Sequence, residues 1–226
     1  MSSFMSASIG RKFLMSITGL FLISFLCIHL TLNLFLTFDD SGTLFNLAAH
    51  FMATNPFIRI MEPLLAIGFV VHIIWSGWIT LDNMRARPQK YAYGDQLLSW
   101  WAPSKNMFIL GGMVLVFLVI HISNFWIKMK VTGDPLLTEV KVDGVAMHNA
   151  YALVSNLFLN RWYDFLYIVG GILVGLHISH GFWSAFQTIG FSNQVWLKRL
   201  KCLAITVGVI FAVGFSYIPI YFMIKF

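Results

Sequence analysis

Four of the seven histidines in the chain, His29, His72, His121 and His177, lie inside long apolar runs, one to a run and at similar depth. An ionisable side chain within an apolar span is costly to bury and marks a functional position by default. A single one could be a satisfied polar residue packed between helices; four in matching positions weaken that account. If successive runs cross in opposite directions, equal offsets fall on two levels. His29 and His121 then lie toward one side and His72 and His177 toward the other, roughly 10 Å apart at 1.5 Å of rise per residue. Two imidazoles per level, on different helices, suit bis-histidine ligation of haem, with one imidazole on each face of the porphyrin. Two stacked haems would carry electrons across the membrane.

The remaining histidines are weaker candidates. His180 competes with His177 from one helical turn away. An H-x-x-H pair binds metal in some proteins, but no acidic or sulfur partner lies nearby in the sequence. The depth match selects His177 as the ligand and leaves His180 as a candidate contact for a haem propionate or a quinone. His50 and His148 fall outside the runs and read as surface residues. A quinone carbonyl needs a donor and its reduction a proton source, so Glu62, Arg59 and His50, on one side, are candidates for such a site. The competing reading makes Glu62 an interface residue or the ion-pair partner of Arg59.

The elements that must position these residues follow from composition. Of 226 residues, 58% are hydrophobic and 11% charged, against about 25% charged in a soluble domain. The mean hydropathy is +0.78. Five continuous apolar runs, Phe13–Leu36, Phe57–Leu81, Met107–Ile127, Tyr163–Phe186 and Leu203–Ile224, are each long enough to span a bilayer, which takes about 20 residues. Their continuity excludes the alternating pattern of a membrane barrel. The first run is too long for the apolar core of a signal peptide, and no small-residue cleavage site follows it, so it reads as a retained helix. The two cysteines, Cys27 and Cys202, sit in separate runs and no C-x-x-C-H motif is present, which excludes a disulfide scaffold and covalent haem attachment. The fold class is an all-α integral membrane protein, one domain over 1–226 with five transmembrane helices, the first four forming the haem-binding bundle.

With the N-terminus inside, nine of the 15 lysines and arginines fall on the inner side and six on the outer, the distribution that the positive-inside rule favours. The net charge of +6 reflects this topology; no dense basic stretch points to nucleic acid. Thr43–Asn55 and Met147–Leu159 read as amphipathic helices lying on the outer surface of the lipid membrane. The inner loop 82–106 carries Tyr91, Tyr93, Trp100 and Trp101, either an aromatic interface belt or a docking surface for a soluble partner. Gly19, Gly68, Gly111, Gly112, Gly170, Gly171 and Gly175 either leave room for a macrocycle or let helices pack closely. Arg11, Lys12 and Arg59 could meet haem propionates or serve as interface anchors.

This pattern resembles the five-helix, di-haem cytochrome b subunit of succinate:quinone oxidoreductases, the succinate dehydrogenases and fumarate reductases. The resemblance covers essentially the whole chain. It is carried by the four intramembrane histidines in their order, by Gly10-Arg11-Lys12 ahead of the first span, and by His177–Trp183 (HISHGFW) in the fourth. It implies two haem b groups, the distal held by His29 and His121 and the proximal by His72 and His177. It also implies a flavoprotein and an iron–sulfur subunit on the cytoplasmic side of a bacterial inner membrane, with electrons passing to or from a quinone, menaquinone in this branch. The dicarboxylate reaction would then belong to the flavoprotein. Some relatives carry a glutamate for proton movement two residues before the histidine of the fourth helix. Gly175 stands there in this chain, and no acid lies deep in any span. Two rival classes remain: a haem b quinol-oxidising anchor of a hydrogenase or nitrate reductase type, and a non-redox anchor or transporter.

Overall fold

The computed structural model describes residues 8–86, 103–191 and 193–226. The inner-loop aromatics Tyr91, Tyr93, Trp100 and Trp101 lie outside them. Helix α1 spans Ser8–Leu34, α2 Thr43–Thr54, α3 Pro56–Arg85 and α4 Pro103–His121, the last widening into two π-helical turns over Ile122–Trp126 and Lys128–Thr132. A hairpin of β1 (Glu139–Val142) and β2 (Val145–His148) leads into α5 (Ala150–Leu157), α6 (Arg161–Thr188) and α7 (Gln194–Lys225). Five helices are long and apolar enough to cross a membrane, so the chain is a multi-pass, predominantly helical membrane protein. Many large apolar side chains on them face outward, among them Ile67, Ile74, Val116 and Ile205. Such a surface suits contact with lipid.

Asparagine starts four of the helices. Asn55, Asn149, Asn160 and Asn193 each accept a hydrogen bond from a backbone amide of the following turn, which satisfies a donor that the helix itself leaves free. Pro56 follows Asn55 at the first helical position, where its missing N–H costs nothing.

Two expectations change. The chain is not wholly α: Val142 pairs with Val145 across Asp143-Gly144, and Met147 lies in β2, so the second amphipathic helix covers Ala150–Leu157 only. The last span begins at Gln194, nine residues before Leu203, and so takes in Lys198, Arg199 and Lys201. The fifth spanning helix packs against the first and the fourth. Leu30 of α1, Ile178 of α6 and Phe211 of α7 form one buried cluster. Gly171, Gly175 and Ser179 of α6 meet Gly208, Ala212 and Ser216 of α7 along a seam of small residues that lets the backbones approach closely.

The helix α2, the hairpin and α5 form a cap over one end of the bundle. Asn46, buried, donates to Asn149 at 3.1 Å and accepts from the Tyr151 amide at 2.8 Å. The apolar residues Leu44, Leu47 and Phe51 face outward, as an interfacial helix requires, while Phe45 turns inward. Gly42 has a φ of +73°, and a side chain there would run into the Tyr151 ring. Lys225, at the end of α7, donates to Asp40 and to Tyr151 at 2.6 and 3.0 Å.

The cap carries its own acid sensitivity. Hydrogen bonds from Ser41 lower the Asp39 carboxyl, and those from Lys225 and Tyr221 lower Asp40, both from an ordinary 3.8. A carboxyl depressed by folding contributes stability that is complete above its unfolded value and lost as pH falls through the folded one. Below pH 3.8 the cap should loosen ahead of the spans. Amide exchange over Thr43–Thr54 should rise first on acidification; exchange rising equally across α2 and α6 would contradict this.

Candidate functional site

The four intramembrane histidines meet as two pairs. At the level nearer the cap, His29 of α1 and His121 at the end of α4 have ring centroids 5.7 Å apart and planes at 82°. Toward the far end, His72 of α3 and His177 of α6 lie 6.4 Å apart at 69°. Alternating chain direction brings this about, because α1 and α4 run toward the cap while α3 and α6 run away from it.

The cap-side pair sits among aromatic rings. Phe25 stacks on His29 at 5.2 Å and Phe215 of α7 lies 6.0 Å away. Phe125 and Tyr167 lie 5.3 and 5.9 Å from His121. Tyr167 is buried and accepts a hydrogen bond from Asn124 at 3.1 Å. Asn124 lies in the π turn that begins directly after His121, and such widened turns recur at functional sites.

The far pair is backed by glycines. A β-carbon on Gly19 would stand 3.3 Å from His72 Cε1, and one on Gly111 3.4 Å from His177 Cε1. Each glycine precedes the histidine of its own helix, His29 or His121, by ten residues, roughly 15 Å of helix. The two levels are therefore farther apart than the sequence offsets imply. Thr18 Oγ1 donates to the Leu14 carbonyl and lies 3.4 Å from His72 Nδ1. With its proton so directed, Thr18 accepts from an Nδ1–H, which leaves the Nε2 lone pair of His72 free to coordinate.

These pairs fit a haem iron. An imidazole nitrogen binds a first-row metal at about 2.0–2.1 Å, so two imidazoles on opposite sides of one ion hold their centroids roughly 6 Å apart. Both separations lie near that value. Among the described residues His121 Nδ1 and His177 Nδ1 are buried without a hydrogen-bond partner, an arrangement that a protein tolerates rarely. Among the described residues no group of three or more His, Cys, Asp or Glu is placed around a common point. Two imidazoles alone would need a macrocycle such as haem to complete the coordination of an iron.

The other candidates separate. The His180 ring meets Trp183 edge-on at 5.0 Å, and Lys201 Nζ lies 4.9 Å from the Trp183 centroid; His72 pairs with His177, not with His180. Glu62 does not pair with Arg59. Its carboxylate accepts from Trp126 Nε1 at 2.7 Å and from Lys130 at 3.1 Å, while Arg59 donates to the Ala53 carbonyl at 3.2 Å. Among the described residues no hydrogen bond or ion pair joins Glu62 to His50. Arg11 pairs with Asp82, and Lys12 is exposed.

The glycines divide likewise. Gly19 and Gly111 face histidines, Gly68 faces Phe21, Gly170 faces Phe117, and Gly171 and Gly175 belong to the seam with α7. A β-carbon on Gly112 would have no neighbour within 4 Å. Thr18, Asn124, Tyr167 and Phe215 were not visible as site residues in the sequence, where nothing in their own spacing singles them out. Asp164, near the start of α6, is fully buried beside Arg161 with Oδ1 unpartnered. No family model, curated protein or solved structure matches the chain.

Proposed function

We propose that this chain is a di-haem b membrane anchor that passes electrons between the iron–sulfur subunit of a succinate dehydrogenase or fumarate reductase and a membrane quinone, with menaquinone as the quinone. The observation that carries the reading is the meeting of four histidines from four helices as two facing pairs, 5.7 and 6.4 Å apart. His29 and His121 hold the distal haem, and His72 and His177 the proximal one. Haem iron supplies reversible one-electron chemistry. The protein's part is to fix the two axial imidazoles of each site, to exclude water with Phe25, Phe125, Tyr167 and Phe215, and to set the ring tautomer at His72 through Thr18. In this reading the N-terminus and the far pair face the cytoplasm of a bacterium, where the flavoprotein and iron–sulfur subunits dock, and the cap faces outward.

The quinone site is assigned to the outer level around Glu62. Trp126 and Lys130 donate to its half-exposed carboxylate and tie α3 to the π-helical turns that follow α4. Arg59 and His50 stay secondary to it, because nothing ties them to that carboxylate. His180 is kept for the inner level, beside the proximal site.

The subunits that accompany the chain test this function. Gentle detergent extraction of a tagged full-length chain from its native membrane should bring with it a protein carrying covalent flavin and another carrying iron–sulfur clusters. Nickel or molybdenum in the same fraction would replace this reading with an anchor of the hydrogenase or nitrate reductase type.

A further inference from the structure

Among the described residues, two buried donors near the far end of the bundle find no acceptor. Trp75 Nε1 and Arg11 Nε are both closed off from solvent and make no hydrogen bond to a described residue. They belong to one cluster. The Arg11 guanidinium pairs with Asp82 through Nη1 and lies 5.6 Å from the Trp78 ring centroid, and Trp78 in turn lies 6.2 Å from Trp75. Asp82 therefore neutralises the arginine without satisfying its Nε. A buried polar group left unpaired is costly, and more so when it is charged. Both unmet groups are donors, so the partner they lack is an acceptor, and the arginine makes an anion the better one.

Position narrows the choice. Trp75 follows His72 by three residues, on the same side of α3 and roughly 4.5 Å farther toward the far end. Arg11 precedes Gly19, the glycine that faces His72, by eight residues, roughly 12 Å along α1 in the same direction before the reach of its side chain. The two donors thus lie just beyond the edge of the His72–His177 level. Because these histidines face each other across the bundle, a haem held between them would turn its rim, and not its face, toward that end. Haem b carries its two carboxylates on one edge.

We infer that Trp75 and Arg11 bind a propionate carboxylate of the haem held by His72 and His177. The assignment rests on the proposed function. Trp75 Nε1 donates one hydrogen bond and Arg11 Nε a second, charge-assisted one, while Asp82 keeps the guanidinium in place. The same donors could serve a phospholipid phosphate, and the test separates the two.

Trp75→Phe keeps the aromatic packing and removes only the N–H; Arg11→Gln removes the charge. Each variant, purified with its partner subunits, should retain two haems per chain. In a spectroelectrochemical titration the midpoint potential of one haem should fall while the other stays, because a carboxylate stripped of its donors favours ferric iron. The propionate bending mode in the resonance Raman spectrum should change with it. If Arg11→Gln fails to accumulate because Asp82 is left unpaired, Trp75→Phe decides alone. Two haems with unmoved potentials and an unmoved propionate mode would overturn the assignment. So would a shift that disappears on delipidation, which would give the donors to a phospholipid. A wild-type protein with no haem would instead overturn the function on which the assignment rests.

Discussion

On the proposed function, which gives the wild type two haems per chain, alanine at His177 should leave the purified protein with one. Its ring lies 6.4 Å from that of His72, and an iron held between them loses one of its two axial imidazoles when either is removed. His72→Ala should give the same count. The double variant should lose no more than either single one, because the two side chains act as a unit and their effects do not add. His29→Ala and His121→Ala should each remove the other haem. His180→Ala is the informative control: its ring lies against Trp183, outside the pair, and it should keep both haems. The count is made by pyridine haemochrome on protein whose helical circular dichroism matches the wild type. A His180→Ala protein with one haem beside a His177→Ala protein with two would move the ligand by one turn of α6.

Glutamate at Gly175 should stop the protein from accumulating in the membrane. Some members of the family that the sequence resembles carry a proton-conducting glutamate at the matching position. Here α6 and α7 leave no space for it, since even a β-carbon on Gly175 would run into the Gly208 carbonyl and Ala212. A charged side chain near the centre of a spanning helix costs about 2.5–3.5 kcal/mol. Overpacking a close contact adds about 1–3 kcal/mol. The sum, about 3.5–6.5 kcal/mol, is a large part of the roughly 5–15 kcal/mol that ordinarily separates folded from unfolded protein. Gly175→Ala should weaken the protein less, and a membrane fraction assayed by immunoblot with a thermal melt would rank the two. Wild-type amounts of a stable Gly175→Glu protein would show that the α6–α7 seam can open. A glutamate-mediated proton path would then be available to this chain.

The parts of the molecule legible in the sequence are those written in hydropathy and in chain direction. The five spans follow from continuous apolar runs. The pairing of His29 with His121 and of His72 with His177 follows from helices that alternate in direction. Contacts between residues far apart in sequence were not legible. Glu62 has Arg59 one turn away on its own helix, yet its carboxylate is taken by Trp126 and Lys130 of another element. Local spacing measures proximity on one helix and says nothing of the helix packed beside it.

Similarly, the role of Gly175 is set by Gly208 and Ala212, which only the packing of α7 brings there. The π turns after His121 carry no pattern of their own. The hairpin is different, because its signal was present. Asp143-Gly144 between valine-rich segments is the preferred two-residue hairpin loop, in which both residues take positive φ; they do so here at 50° and 81°. The amphipathic reading of Met147–Leu159 took in residues that belong to β2.

The most direct test of the central claim is the amount of haem b per polypeptide in the purified wild-type protein, by pyridine haemochrome set against quantitative amino-acid analysis. Two facing histidine pairs predict two haems per chain, each low-spin with two axial histidines in its electron paramagnetic resonance spectrum. A folded, colourless protein would contradict the account and leave a five-span membrane protein whose paired histidines serve some other end.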